Sequence, residues 1–176
     1  MSFTTDTIHH LAVATTTIPT PLGPLLLART RDGLAGAWFE GQRHHPGPLA
    51  APRVDDDALL LRARRQLLDY FDGGTGGFDV PLDLHGTPFQ RRVWAALLAI
   101  PPSGTSSYAR IAAACGSPQA VRAVGAAIGR NPLSILVPCH RVLGSDGSLT
   151  GYAGGVGRKQ ALLALEARAA DMRVAA

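Results

Sequence analysis

Apolar residues come in short strand-like bursts through the first half of the chain and in helix-spaced groups through the second. From Ile18 to Glu40 the pattern predicts β structure. Pro21-Leu22-Gly23-Pro24 reads as a turn and Leu25-Leu26-Leu27-Ala28 as a strand. A second turn at Arg31-Asp32-Gly33 leads into a strand at 34–39. Residues 41–54 hold three prolines and read as an exposed loop. Asp55-Asp56-Asp57 opens a helix, with acids where the positive helix end favours them. Its apolar face is Leu59, Leu60, Ala63, Leu67, Tyr70 and Phe71, and Gly73-Gly74 stop it. Phe78-Asp79-Val80-Pro81-Leu82 carries a proline and reads as an edge strand.

At Gly86 the texture changes. Thr87 is placed to cap a helix with Pro88 at its first position, and Phe89, Val93, Trp94, Leu97 and Leu98 form its core stripe. Pro101-Pro102 ends it. Ser107 caps a short helix from Tyr108 to Cys115, Gly116 terminates that one, and Ser117-Pro118 opens another running to about Gly129. Two short helices across a tight Gly-Ser turn form a helix-turn-helix signature, although generic helical hairpins share it. Ala112, Ala113, Ala120, Ala123 and Gly125 are small enough for close helix packing. Ile135-Leu136-Val137 reads as a short buried strand that Pro138 stops. Gly144 to Gly147 is a turn, residues 151–155 a glycine-rich loop, and residues 158–168 a final helix with Leu162, Leu163 and Leu165 inward. Glu166 lies beside that stripe, either facing inward or simply solvated.

The pattern divides the chain into residues 1–85, a small α+β scaffold without a reactive cluster, and residues 86–176, mostly helical. Charge sharpens the division. The net charge of +4 splits into −3 for the first segment and +7 for the second, which points to a polyanionic partner for the second. The helix after Ser117-Pro118 offers alanines, one Gln and one Arg. That set suits phosphate and minor-groove contact independent of sequence better than reading of base edges. No apolar run approaches a membrane span, and residues 1–17 lack the basic and apolar regions of a secretory signal. A cytoplasmic location without membrane attachment is expected.

Candidate chemistry narrows to one place. Of two cysteines, Cys139 follows Pro138 and precedes His140 and Arg141. A thiol at a strand end near cationic groups can have its pKa lowered enough to react, although most core cysteines are inert filler. Cys115 reads as filler. His9-His10 and His44-His45 have no partners at zinc spacing and read as solvated, so no metal site is expected.

An ordered set of motifs extends from the cysteine. It comprises Pro138-Cys139-His140-Arg141-Val142, then Gly147, Gly151-Tyr152, Gly154-Gly155, Lys159, Leu162-Leu163 and Glu166. Upstream stand Gly86-Thr87-Pro88-Phe89-Gln90, Val93-Trp94, Ser107-Tyr108, Arg122-Ala123-Val124-Gly125 and Asn131-Pro132. This set resembles the suicidal alkylguanine-DNA alkyltransferases, which remove methyl groups from the 6-oxygen of guanine. Pro21-Leu22-Gly23 also looks like that family's N-terminal hairpin.

The resemblance implies an α+β protein: a ribonuclease-H-like mixed α/β domain followed by a winged helix-turn-helix domain. It implies Cys139 as alkyl acceptor, His140 drawing off the thiol proton through a water, and Glu166 orienting His140. Tyr108 would give a proton to the departing guanine, and Asn131 would tie the recognition helix to the active-site turn. Arg122 would enter the helix as the nucleotide rotates out, with Ala120 and Ser107 among the DNA-contacting positions. Tyr152, Ala153 and Gly154 would wall the base pocket, and backbone groups of Cys139 and Val142 would read the guanine edge. The implied partner is double-stranded DNA carrying alkylated guanine, bound through the minor groove by a monomer, with no cofactor. The chain departs from the family at Pro102-Ser103-Gly104, where many members have an aromatic then glycine, and at Ser134, where some carry proline.

The residues leave three rivals. A non-reacting damage sensor of this fold would lack the cysteine. A winged-helix regulator would bind specific sequences and take up no alkyl group. A cysteine hydrolase would turn over and needs an oxyanion hole, for which no clear donor set is present.

Overall fold

The structure, a computed structural model, describes residues 3–74 and 77–175. It comprises two compact units. The first holds the residues up to His85 together with Pro132–Leu136; the second holds Gly86–Asn131 and the chain from Val137 onward. Among the described residues no helix is long and apolar enough to cross a membrane.

In the first unit, helix α1 (Phe3–Leu11) precedes strands β1 (Ala14–Ile18), β2 (Leu25–Arg29) and β3 (Leu34–Phe39), and helix α2 (Ala58–Phe71) follows. The strands form an antiparallel meander in the order β1-β2-β3. Every residue of β3 is buried, as a strand covered on both faces must be. Ile8 of α1 packs with Ala28, Ala35 and Trp38. Gly36 leaves room for the Trp38 indole, which any β-carbon there would strike. Leu60, Ala63 and Leu67 are the buried positions of α2, at helical spacing. Asp57 caps α2, its Oδ1 accepting from the Leu59 and Leu60 amides at 3.0 Å each, while Oδ2 accepts from Arg29 Nε at 2.7 Å.

The second unit is helical. Helices α3 (Pro88–Leu98), α4 (Tyr108–Ala114) and α5 (Val121–Gly129) pack on one another, and α6 (Val156–Val174) completes the unit. Strands β4 (Ser106–Ser107) and β5 (Val142–Leu143) pair in parallel. Thr87 and Gln90 form a reciprocal capping box that satisfies the amides of both residues where Pro88 opens α3. Trp94 is fully buried, and its indole N–H donates to Ala127 O at 2.9 Å, which fixes α3 against α5. Gly116, with φ +69°, makes the left-handed turn between α4 and α5.

Several expectations from the sequence are corrected. Residues 3–18 hold α1 and β1, neither of which was anticipated; the three threonines of β1 hid its alternation. His9 therefore lies on a helix, with Nε2 at 2.9 Å from Pro46 O, and His45 is half-buried with Nδ1 accepting from Gly47 N. The segment 78–82 is no strand. It makes one parallel bridge, Leu34 to Leu82, because Pro81 contributes only its carbonyl. Ser117-Pro118 forms a turn and α5 starts at Val121, so α5 is shorter than expected. Leu98 faces outward, 45% exposed. The last helix, Val156–Val174, runs well past 168 at its C-terminal end.

Ile135-Leu136-Val137 is not a strand either. Leu133 makes one bridge to Ala37, after which the backbone closes on itself: Leu136 N donates to Ser134 O and Cys139 N to Val137 O. Ile135 takes φ +74°, a left-handed conformation that costs a β-branched residue about 1–3 kcal/mol. Hydrophobicity put these residues inside, but the prolines at 132 and 138 and the local turns denied them a ladder.

Thr87→Ala removes one half of the capping box and should cost about 1 kcal/mol of stability. Urea unfolding of the two proteins measures the difference.

Candidate active site

Pro138 ends the tight turn, and Cys139–Arg141 form one turn of 3-10 helix leading into β5. All three side chains are buried. The Asn131 amide uses both its hydrogens here: Nδ2 donates to Val137 O at 2.8 Å and to Cys139 Sγ at 3.0 Å. Residues on either side of the strained turn are thereby drawn together.

Cys139 is only 5% exposed. Burial pushes its thiol up to about 11, more than the Asn131 hydrogen bond and the Lys159 charge pull it down. The expectation of a lowered thiol pKa is therefore corrected. The resting group is a neutral thiol, because a thiolate in so dry a site lacks the solvation it would need.

Beside it, His140 is fully buried. Its Nε2 lies 2.7 Å from Glu166 Oε1, and its Nδ1 makes no hydrogen bond to protein. An anionic Glu166 can only accept, so Nε2 carries the hydrogen and Nδ1 is a free lone pair. Burial holds the imidazole below the ordinary histidine range, against the opposing pull of Glu166.

Glu166 does not leave His140 charged at rest, because burial outweighs its pull and the Arg141 charge adds to that burial. Arg141 Nη2 donates to Oε1 at 2.9 Å and Nε to Oε2 at 2.9 Å, while Nη1 donates to Ile100 O at 2.7 Å. Burial alone would raise this carboxyl; the bonds from His140 and Arg141 overcome it and hold Glu166 at about 2.

A second set converges on the loop after β5. Lys159, fully buried on α6, donates from Nζ to Val142 O at 2.5 Å, Thr150 O at 2.8 Å and Gly151 O at 3.4 Å. Tyr108, the first residue of α4, donates its hydroxyl to Thr150 O at 3.0 Å and to Gly151 O at 3.3 Å. Burial raises its pKa, so the phenol keeps its proton. Tyr152 and Ala153 are half-buried in the same loop, and Gly154 is required there because a β-carbon would lie 2.6 Å from the Tyr152 ring. Val142 N donates to Cys139 O. Ser107 caps α4 by accepting from Arg110 N at 3.2 Å.

Cys139, His140, Glu166 and Asn131 are thus hydrogen-bonded in sequence or adjacent in the chain. Ala120 and Arg122 are not part of that network: Ala120 is the half-buried N-cap of α5 and Arg122 is exposed on its first turn. Sequence reasoning missed Arg141 as a partner of Glu166, and Lys159 as the tie to the loop. A signal existed for the first. Only three acids occur in residues 86–176, so a buried arginine there had few carboxylates to choose from. Cys115 is half-buried with Sγ 3.7 Å from Arg92 O, consistent with filler. Among the described residues no group of three or more His, Cys, Asp or Glu could hold a metal ion.

The chain is also similar to known proteins. Residues 88–168 match the DNA-binding domain of 6-O-methylguanine DNA methyltransferases, and residues 13–84 match the ribonuclease-like domain of the same proteins. A methylated-DNA–protein-cysteine methyltransferase of Mycobacterium tuberculosis is 49% identical over 150 residues, 85% of this chain and 90% of its own length. One from Methanosarcina barkeri is 46% identical over 150 residues, 85% of this chain and 94% of its own. The chain belongs to the methylated-DNA–protein-cysteine methyltransferase family. The crystal structure of Mycobacterium tuberculosis OGT in complex with DNA superposes with a TM-score of 0.81 at 48% identity, covering 89% of this chain and 94% of that one. The protein is accordingly a DNA-repair methyltransferase, with a ribonuclease-like α/β unit and a helical DNA-binding unit.

The methyltransferase should show the charge of Glu166 in its acid stability. Its folded pKa of about 2 lies below the ordinary 4.5, so as pH falls the unfolded chain takes the proton first. The stabilisation is complete above about pH 5 and is lost as pH falls towards 2. Glu166→Gln leaves Arg141 buried without its anion and should be destabilised at pH 7. The gap to wild type should narrow below about pH 4.5 in denaturant titrations run across pH.

Proposed function

We propose that Cys139 is the alkyl acceptor, that the methyl group of 6-O-methylguanine is transferred to its sulfur, and that the step occurs once per molecule. The observation that carries this reading is a buried thiol, Cys139, followed in the chain by a buried imidazole, His140, whose Nε2 is held by an ionised carboxylate and whose Nδ1 is a free base.

The thiol proton passes through a water to His140 Nδ1 as sulfur attacks the methyl carbon in line. The S–C bond forms, the bond from O6 to the methyl carbon breaks, and the leaving guanine takes a proton from the Tyr108 hydroxyl. His140 becomes an imidazolium next to Glu166, whose charge now counts twice, for Arg141 and for the new cation. A neutral resting thiol fits this order of events, since the thiolate need exist only while the methyl carbon is in reach. Asn131 donates to the sulfur and steadies the developing negative charge. The thioether product carries no water-labile bond, so there is no route back to the thiol and no turnover.

The second unit carries both DNA binding and acceptor chemistry, and the first supports it. The +7 charge of residues 86–176 supplies the attraction for phosphates. The small residues of α5 let the helix lie close in the minor groove, without base-edge groups that would impose a sequence. Arg122, exposed at the start of α5, fills the stack vacated when the alkylated nucleotide rotates out. Ala120 and Ser107 lie on the DNA side. Tyr152, Ala153 and Gly154 wall the pocket, with backbone groups of Cys139 and Val142 on the guanine edge. No cofactor takes part, and one chain without a partner subunit, in the cytoplasm, suffices.

Incubation with a duplex carrying 6-O-methylguanine should add the mass of one methyl group to Cys139 and nothing to Cys139→Ala. Repair of many lesions per protein would replace this reading with a hydrolytic one. Arg122→Ala should slow repair of duplex DNA at least about tenfold while altering reaction with the free base far less. Equal losses on both substrates would remove the arginine from base extrusion.

A further inference from the structure

Pro101-Pro102-Ser103-Gly104 forms a tight turn closed by Gly104 N donating to Pro101 O at 3.0 Å. Proline at the second position fixes a negative φ, and Ser103 at the third takes φ +61°. This is the type II pattern, whose third position calls for glycine. A serine there is strained, and nothing within the turn compensates it.

The compensation comes from α6. Ser103 Oγ donates to the backbone oxygen of Glu166 at 2.8 Å, and Ser103 N–H donates to Glu166 Oε2 at 3.2 Å. His140 Nε2 and Arg141 Nη2 donate to Oε1, which Arg141 Nε also reaches at 3.2 Å, while Oε2 accepts from Arg141 Nε and from Ser103 N. The Ser103 amide is a donor to Oε2 that belongs to neither His140 nor Arg141.

We infer that Ser103 is a positioning residue for Glu166, its hydroxyl holding a strained turn in place so that its backbone N–H completes the hydrogen-bonding shell of the carboxylate that orients His140. The inference rests on the relay proposed above. Ser103 acts through Glu166 and does not touch the reacting atoms. The turn needs either the hydroxyl, to hold a strained residue, or glycine, to remove the strain. Alanine provides neither.

Single-turnover methyl uptake from duplex 6-O-methylguanine, followed across pH for wild type, Ser103→Ala, Ser103→Gly and Glu166→Gln, tests this. Ser103→Ala should be about tenfold slower at pH 7.5 with duplex affinity within about twofold of wild type, as for loss of a charge-assisted hydrogen bond. Its acid limb should also begin at higher pH, because a carboxylate with one donor fewer is protonated more easily. Ser103→Gly should recover most of the rate, to within about threefold of wild type. Ser103→Ala matching wild type in rate and acid limb, or Ser103→Gly as slow as Ser103→Ala, overturns the role of Ser103 if Glu166→Gln is slow. Glu166→Gln as fast as wild type overturns the relay itself, and the inference with it. Melting temperatures of all four proteins identify any variant that is slow only because it is partly unfolded.

Discussion

A single carboxylate, buried between a histidine and an arginine, sets the state of everything around it. Glu166 is ionised because four donors surround it, and a buried charge without them would protonate instead. Arg141 does two things at once. It keeps the glutamate anionic, and its charge adds to the burial that keeps His140 uncharged until a proton arrives.

The same dryness governs the sulfur. Cys139 lies under the surface with its thiol held at about 11, so the protein stores a nucleophile in its unreactive form. Reactivity then depends on removing a proton at the right moment rather than on a standing thiolate. Asn131 links this sulfur to the end of α5 by donating to it and to Val137 O. Between those two anchors the backbone makes a turn that includes Ile135 in a left-handed conformation. Strain of that kind persists only where surrounding contacts over-determine the path, and here it brings the end of a helix beside the nucleophile.

Much of the fold could be read directly. The β2–β3 hairpin, α2, and α3 with its cap follow from period and punctuation: Pro-Leu-Gly-Pro, Asp-Gly, Thr-Pro and paired glycines stand where backbone geometry requires them. β1 was hidden because its threonines give no apolar alternation, and α1 because nine residues carry too weak a stripe. Ile135-Leu136-Val137 misled because hydrophobicity reports burial and not hydrogen-bond partners. At the site, Cys139 beside His140 stood out from the residues themselves and Glu166, Tyr108 and Asn131 gained their roles through resemblance, while Ser103 and the pairing of Arg141 were not named. Neither carries a local signature. One is a serine in a loop and the other an arginine beside a histidine.

By itself the sequence determined the basic second half, the placement of most helices and the family of the chain. Those properties depend on neighbours along the chain, whose spacing and charge are written into the order of residues. Only the tertiary structure decided the protonation states. Whether Cys139 is thiol or thiolate, and whether His140 is a base or a cation, depends on solvent exclusion and on donors brought in from residues 26 and 63 positions away from Glu166. Burial and long-range pairing are properties of a folded volume, and no local pattern records them.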